Sequence, residues 1–102
     1  RARLDFADIP LMPRAVEFVE SGYITGASAR NWESYGNAVQ LTPSLDQEAK
    51  ALLTDPQTSG GLLVSCAPDT VTEVLSIFLQ QGFSHVSVIG EVLEGEPGID
   101  VT

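Results

Sequence analysis

Few residues in this chain have types and spacing suited to chemistry, and they fall in two clusters. The first is Asp55 to Leu63, D-P-Q-T-S-G-G-L-L. Gln57, Thr58 and Ser59 supply side-chain donors and acceptors, and Gly60-Gly61 lets the backbone take positive φ and approach another group closely. A loop of small polar residues and glycines ahead of a strand can turn several backbone N–H groups toward an anion. Its plain alternative is a simple turn, the commonest use of Gly, Ser and Asp. The second cluster is Arg30-Asn31, inside the irregular stretch Tyr23 to Thr42 that also holds Trp32, Tyr23 and Tyr35. Arg30 is the best single anion-contacting candidate, because a guanidinium offers a rigid fork of donors. Here the alternative is that Trp32 and Tyr35 pin a long loop to the core.

Elsewhere the chemistry runs out. His85 is the one histidine, with no second His or Cys nearby to define a metal site, so a surface or strand-edge position is expected. Cys66 follows an apolar run and lies far in sequence from any basic activator, so a buried, inert thiol is expected. Of Asp5, Asp8, Asp46 and Asp55, no pair falls on a common face of an expected helix, Asp5 and Asp8 lying in and just after the stretch that reads as a strand. There is no complete Ser/His/Asp or Cys/His set and no G-x-x-x-x-G-K-[ST] string.

The elements that must position the two clusters can be read from periodicity. Arg3 to Ala7 alternates as a strand, and Pro10 and Pro13 close its connection. Met12, Ala15, Val16 and Val19 recur at helical spacing, with Pro13 in the first turn and Gly22 as the stop. Tyr23 to Thr42 reads as a long loop. Ser44 with Gln47 forms a capping box for a helix striped by Leu45, Ala49, Leu52 and Leu53, which Asp55-Pro56 ends. Leu62-Leu63-Val64 is a continuous apolar run, as for a strand covered on both faces. Pro68 opens a helix with Val71, Val74, Leu75, Phe78 and Leu79 on one side and Gly82 as its stop. Val86, Val88 and Val92 mark a strand bent at Gly90, and after the turn Glu94 to Gly98, Ile99-Asp100-Val101 returns as an antiparallel strand. The order β-α-(long loop)-α-β-α-β-β predicts one α+β domain, a mixed sheet covered by helices.

Length and composition agree. At 102 residues, 43% hydrophobic and 19% charged, the chain suits one globular domain. Its net charge of −9 disfavours nucleic-acid binding, and one lysine, Lys50, makes a poor phosphate clamp unless a metal or another chain adds positive charge. No apolar run approaches the ~20 residues that span a bilayer. A single cysteine rules out an internal disulfide and is compatible with a reducing cytosol. The chain starts at Arg1 rather than at a methionine, and a fragment or processed chain is expected.

D-P-Q-T-S-G-G-L-L at Asp55 to Leu63 resembles the signature of the C-terminal domain of the selenophosphate synthetases (selenide, water dikinases), which are PurM-like, AIR synthase-related enzymes. A-R-N-W-E-S-Y-G at Ala29 to Gly36 resembles that family's T-R-N-x-x-S-Y-G segment, in the same order and at the same separation. The resemblance covers nearly the whole chain. It implies that residues 1–102 are a C-terminal domain fragment, partly ferredoxin-like, without its first helix and without the N-terminal catalytic domain. It also implies a parent that converts selenide, ATP and water to selenophosphate, AMP and phosphate with magnesium. The reactive Cys or selenocysteine, its lysine and the metal-binding aspartates belong to the absent portion, so no catalytic or metal residue is carried over. Arg30, Asn31, Thr58, Ser59, Gly60 and Gly61 remain as phosphate- or cleft-facing candidates. The expected partner is the N-terminal domain of the same enzyme, in a cytoplasmic homodimer that binds neither nucleic acid nor membrane. The competing class is a stand-alone α+β module that holds a small ligand.

Overall fold

In the computed structural model, which describes residues 1–102, four short strands form one mixed sheet. Strand β1 is Ala2–Leu4, β2 is Val39–Leu41, β3 is Gly90–Val92 and β4 is Ile99–Val101. Their spatial order is β2-β4-β1-β3. β4 runs parallel to both β1 and β2, whereas β3 lies antiparallel on the outer side of β1. Helices α1 (Ala15–Glu20), α2 (Gly26–Tyr35), α3 (Gln47–Thr54) and α4 (Val71–Gln80) complete the α+β architecture expected from the sequence. α3 touches both α1 and α2. The buried residues, Ser28, Ala49, Ala51, Thr54 and Val101, all lie on α2, α3 and β4.

The sheet is held along its edges by chain-end contacts. Arg1 Nε donates to Asp100 Oδ2 at 2.6 Å, joining the start of β1 to β4, and the Arg3 guanidinium pairs with Glu91 across β1 and β3. At Gly90, an added Cβ would sit 2.0 Å from the Arg3 carbonyl oxygen, so only glycine allows β3 to lie so close to β1. β4 does run opposite to β3, but the two do not pair as a hairpin. β1 is inserted between them, and the turn through Gly95 (φ 142°) carries the chain across it.

Several local expectations are corrected. The first strand ends at Leu4 and a 3₁₀ turn, Phe6–Asp8, follows, because the Asp5 side chain accepts from Ala7 N at 3.1 Å and turns the backbone. α1 starts at Ala15 rather than at Pro13, after Arg14 in the left-handed region (φ 65°). The stretch read as a long loop contains α2. Thr25 caps it by accepting from Ser28 N at 3.3 Å, and its small and polar residues hid the helix because they form no apolar stripe. For α3 the cap is Asp46, which accepts from Glu48 N and Ala49 N at 3.0 and 2.9 Å, while Ser44 bonds the Thr42 hydroxyl instead. The stops at Asp55, Gly22 (φ 83°) and Gly82 (φ 89°) fall where expected, and Pro68 opens a 3₁₀ turn leading into α4.

The largest departure is at Leu62-Leu63-Val64. These residues form no strand and are 83%, 76% and 50% exposed. Cys66 is exposed too, not buried. A continuous apolar run shows that a segment suits cover on both faces, but it does not say which neighbour supplies that cover.

Candidate functional site

The two clusters meet where α2 crosses the end of α3. Asn31, half-buried on α2, donates from Nδ2 to the carbonyl oxygen of Thr54 at 2.9 Å. Thr54 is the last residue of α3 and directly precedes Asp55, so Asn31 holds the point from which the D-P-Q-T-S-G-G loop departs. Beneath this contact the Ser28 and Thr54 hydroxyls bond each other in a buried position, and Thr54 Oγ1 also donates to Lys50 O at 2.8 Å. Beside it, Lys50 Nζ lies 5.1 Å from the centroid of the Trp32 ring. A cation over an indole face is attracted by the ring quadrupole, which ties α3 to α2 a second time. Trp32 therefore packs on a neighbouring helix rather than pinning a loop.

Arg30 is exposed on α2, with Nη1 3.6 Å from where a Cβ on Gly26 would sit. The other cations are occupied: Arg1 by Asp100, Arg3 by Glu91, Arg14 by Glu17 and the Phe18 ring, and Lys50 by Trp32. Arg30 has neither a carboxylate nor an aromatic partner, which leaves its full set of donors available to an anion.

Thr58, Ser59, Gly60 and Gly61 are all exposed, with a turn at Thr58-Ser59. Positive φ is found at Gly22, Gly82 and Gly95 but at neither Gly60 nor Gly61, so the expectation of left-handed glycines in this loop is corrected. A Cβ at Gly61 would meet nothing within 4 Å, whereas one at Gly60 would come 3.2 Å from Gln57 Oε1. No backbone or side-chain hydrogen bond of the chain involves residues 55–66 except through the Thr54 carbonyl just before them. The loop's N–H groups are thus free for an outside acceptor. The structure brings Asn31 to the root of the loop. Two open clefts lie elsewhere, one of about 300 Å³ lined by Arg3, Asp5, Asp8 and Glu91, the other of about 250 Å³ lined by Phe6, Val16, Leu45 and Leu52.

Ser28 and Thr54 were not singled out from the sequence, and Lys50 only as a poor phosphate clamp, yet the three hold the Arg30-Asn31 helix to the root of the loop. Thr25, spaced as an N-cap ahead of Arg30, was the available signal. His85 is exposed in a turn, as expected. Away from this region, the Arg1 guanidinium bonded to Asp100 holds that carboxyl below the usual carboxylate range, and Asp100 in turn raises Arg1.

No family model matches the chain. Across nearly all of it, however, the chain is similar to curated selenide, water dikinases. It is 64% identical over 101 residues to that of Dechloromonas aromatica, which takes in 99% of this chain and 29% of the relative. With that of Paraburkholderia xenovorans it is 53% identical over 100 residues, 98% of this chain and 28% of the relative. With that of Rhizobium meliloti it is 41% identical over 98 residues, 96% of this chain and 28% of the relative. The chain thus spans less than a third of the length of these relatives. Identity of this level is sustained from end to end of the chain, which matches a segment of selenide, water dikinases.

Proposed function

We propose that residues 1–102 are the C-terminal domain of an enzyme that makes selenophosphate, AMP and phosphate from selenide, ATP and water, and that they wall its active-site cleft. The observation that carries this reading is the 64% identity over 99% of the chain to a selenide, water dikinase. In this role Arg30 offers its uncommitted guanidinium to a phosphate oxygen, and the free N–H groups of residues 57–61 face the same charge. Asn31 fixes the loop's root through Thr54. Exclusion of water by the covering domain strengthens each such contact.

Magnesium does not fit the residues of this segment. No group of three His, Cys, Asp or Glu side chains converges here to hold a metal ion. Its ligands are assigned to the N-terminal domain of the same polypeptide, and no step is routed through the ion in this segment. No helix is long and apolar enough to cross a membrane, and the proposed parent is a cytoplasmic homodimer joined through its N-terminal domains.

The test is turnover by the full-length polypeptide. It should release AMP from ATP only when selenide and magnesium are present, and residues 1–102 alone should release none. Arg30→Ala in the full-length enzyme should lower kcat/KM for ATP by about 10- to 100-fold, the range for losing one charge-assisted contact. An unchanged kcat/KM would remove Arg30 from the site. AMP release by residues 1–102 alone would place the catalytic groups in this segment.

A further inference from the structure

We propose that Gly61–Ser65 is a docking strand, the element through which this chain seats on the remaining part of its own polypeptide. The proposal rests on the reading of the chain as part of a selenide, water dikinase. Three observations carry it. Residues 55–66 make no hydrogen bond within the chain, so a row of N–H and C=O groups is left without partners. On this row sit Leu62, Leu63 and Val64, all exposed and, in an extended segment, alternating between faces, so that both faces are apolar. Every residue from Pro56 to Pro68 is uncharged, in a chain whose net charge is −9. A neutral, apolar segment with free backbone groups has the chemistry of a strand awaiting a sheet edge, with apolar layers above and below it once extended. α4, which follows directly, has no fully buried residue either; Val71, Val74, Leu75 and Phe78 along it are half-buried and Ile77 and Leu79 exposed.

The occupant is chosen by charge and length. A second copy of this chain would bring another net charge of −9 to the contact. The chain's own sheet offers an open edge at β3, yet the segment does not lie on it. By contrast, the relatives extend over more than three times the matched length. A strand edge in that remainder is tethered to this segment and meets it at high effective concentration.

The experiment is hydrogen exchange on the full-length polypeptide, resolved to the peptide spanning residues 57–66. Docking predicts exchange at Leu62 to Val64 at least about 100-fold slower than in the same peptide unfolded in denaturant. Leu63→Asp should abolish that protection while β1 and β4 keep theirs. Exchange within about 3-fold of the unfolded rate overturns the proposal. Two further outcomes overturn the choice of occupant. One is protection that grows with protein concentration, which marks a second copy. The other is rapid disulfide formation between Val64→Cys and Val92→Cys in a Cys66→Ser background, which marks the chain's own β3 edge. Selenide-dependent AMP release by the same preparation tests the family reading separately, so its failure is not mistaken for failure of the docking strand.

Discussion

Residues 1–54 together with 89–102 and residues 55–88 are built on opposite terms. The first region contains the whole sheet, three capped or terminated helices, every buried residue and all the ion pairs. The second contains α4, the glycine-rich loop and an apolar run, and nothing in it is buried. Composition does not explain the difference, because the second region holds some of the most apolar residues in the chain. What differs is whether the partner for each apolar face lies within the chain. The first region is satisfied by its own sequence, and the second presents surface that other polypeptide must complete.

Two glycines test this contrast most sharply. Gly90→Ala would place a methyl 2.0 Å from the Arg3 oxygen and 2.9 Å from Leu4 Cα, both backbone atoms that cannot step aside without separating β3 from β1. The expected loss is roughly 3–5 kcal/mol, enough to unfold a marginal domain. Gly61→Ala meets nothing within 4 Å and needs no left-handed backbone, so its effect should stay within about 0.5 kcal/mol. Thermal unfolding of both variants of residues 1–102 checks the pair. Equal melting temperatures would erase the distinction between the regions.

The open region's contribution should instead show in turnover. In the full-length enzyme, Gly61→Val puts a branched side chain where a phosphate or a facing domain approaches, and should lower kcat by about 100-fold, or ~3 kcal/mol, on the scale of one lost oxyanion-type donor. Because Gly61 is open and not left-handed in this chain, stability should hold while activity falls. Specific activity within a few-fold of wild type would reduce the loop to a turn and remove Thr58 and Ser59 from the site with it.

Legibility followed the same division. Stops written in local chemistry were readable, as at Pro56, Gly22 and Gly82, since each depends on its own backbone preference. The mixed α+β architecture was readable from alternating periods. α2 was not, because a helix made of Gly, Ala, Ser, Arg and Asn shows no stripe, and it is held by Ser28, Asn31 and Trp32 contacts to α3 that sequence spacing does not reveal. The run Leu62 to Val64 suggests a strand covered on both faces, and the structure shows neither strand nor cover, because an apolar run does not say which neighbour supplies the cover. At the candidate site, Asn31 was legible as a donor, whereas its partner, a carbonyl 23 residues away, was not.

That α2–α3 junction yields an effect of intermediate size within the closed region. Thr54→Val keeps the volume but removes the hydroxyl that bonds buried Ser28 and the Lys50 carbonyl. The cost should be about 1–3 kcal/mol, the range for stranding a buried polar group. Adding Ser28→Ala should recover part of it, because the stranded Ser28 hydroxyl is then gone while only the Lys50 carbonyl has lost a donor. A double-mutant cycle on thermal or urea unfolding measures the coupling, and strict additivity would show that the two hydroxyls do not act together.

The smallest effect is electrostatic and separates the regions by pH. Asp100, roughly a quarter exposed, has its carboxyl lowered chiefly by the hydrogen bond from Arg1. A carboxyl that ionises more readily folded than unfolded stabilises the fold fully above its unfolded value, near 3.8, and that contribution is lost as pH falls through the lower folded value. Asp100→Asn should therefore lower the melting temperature modestly at neutral pH, with the difference from wild type shrinking steadily below pH ~4 and weakening in high salt, as solvent screening of a partly exposed pair requires. The segment from Pro56 to Pro68 carries no Asp, Glu, His, Lys or Arg. Protection of Leu62 to Val64 in the full-length enzyme, compared with unfolded peptide at each pH, should then be unchanged between pH 7 and 5. A gap between Asp100→Asn and wild type that widened on acidification would reverse the sign assigned to the Arg1–Asp100 pair.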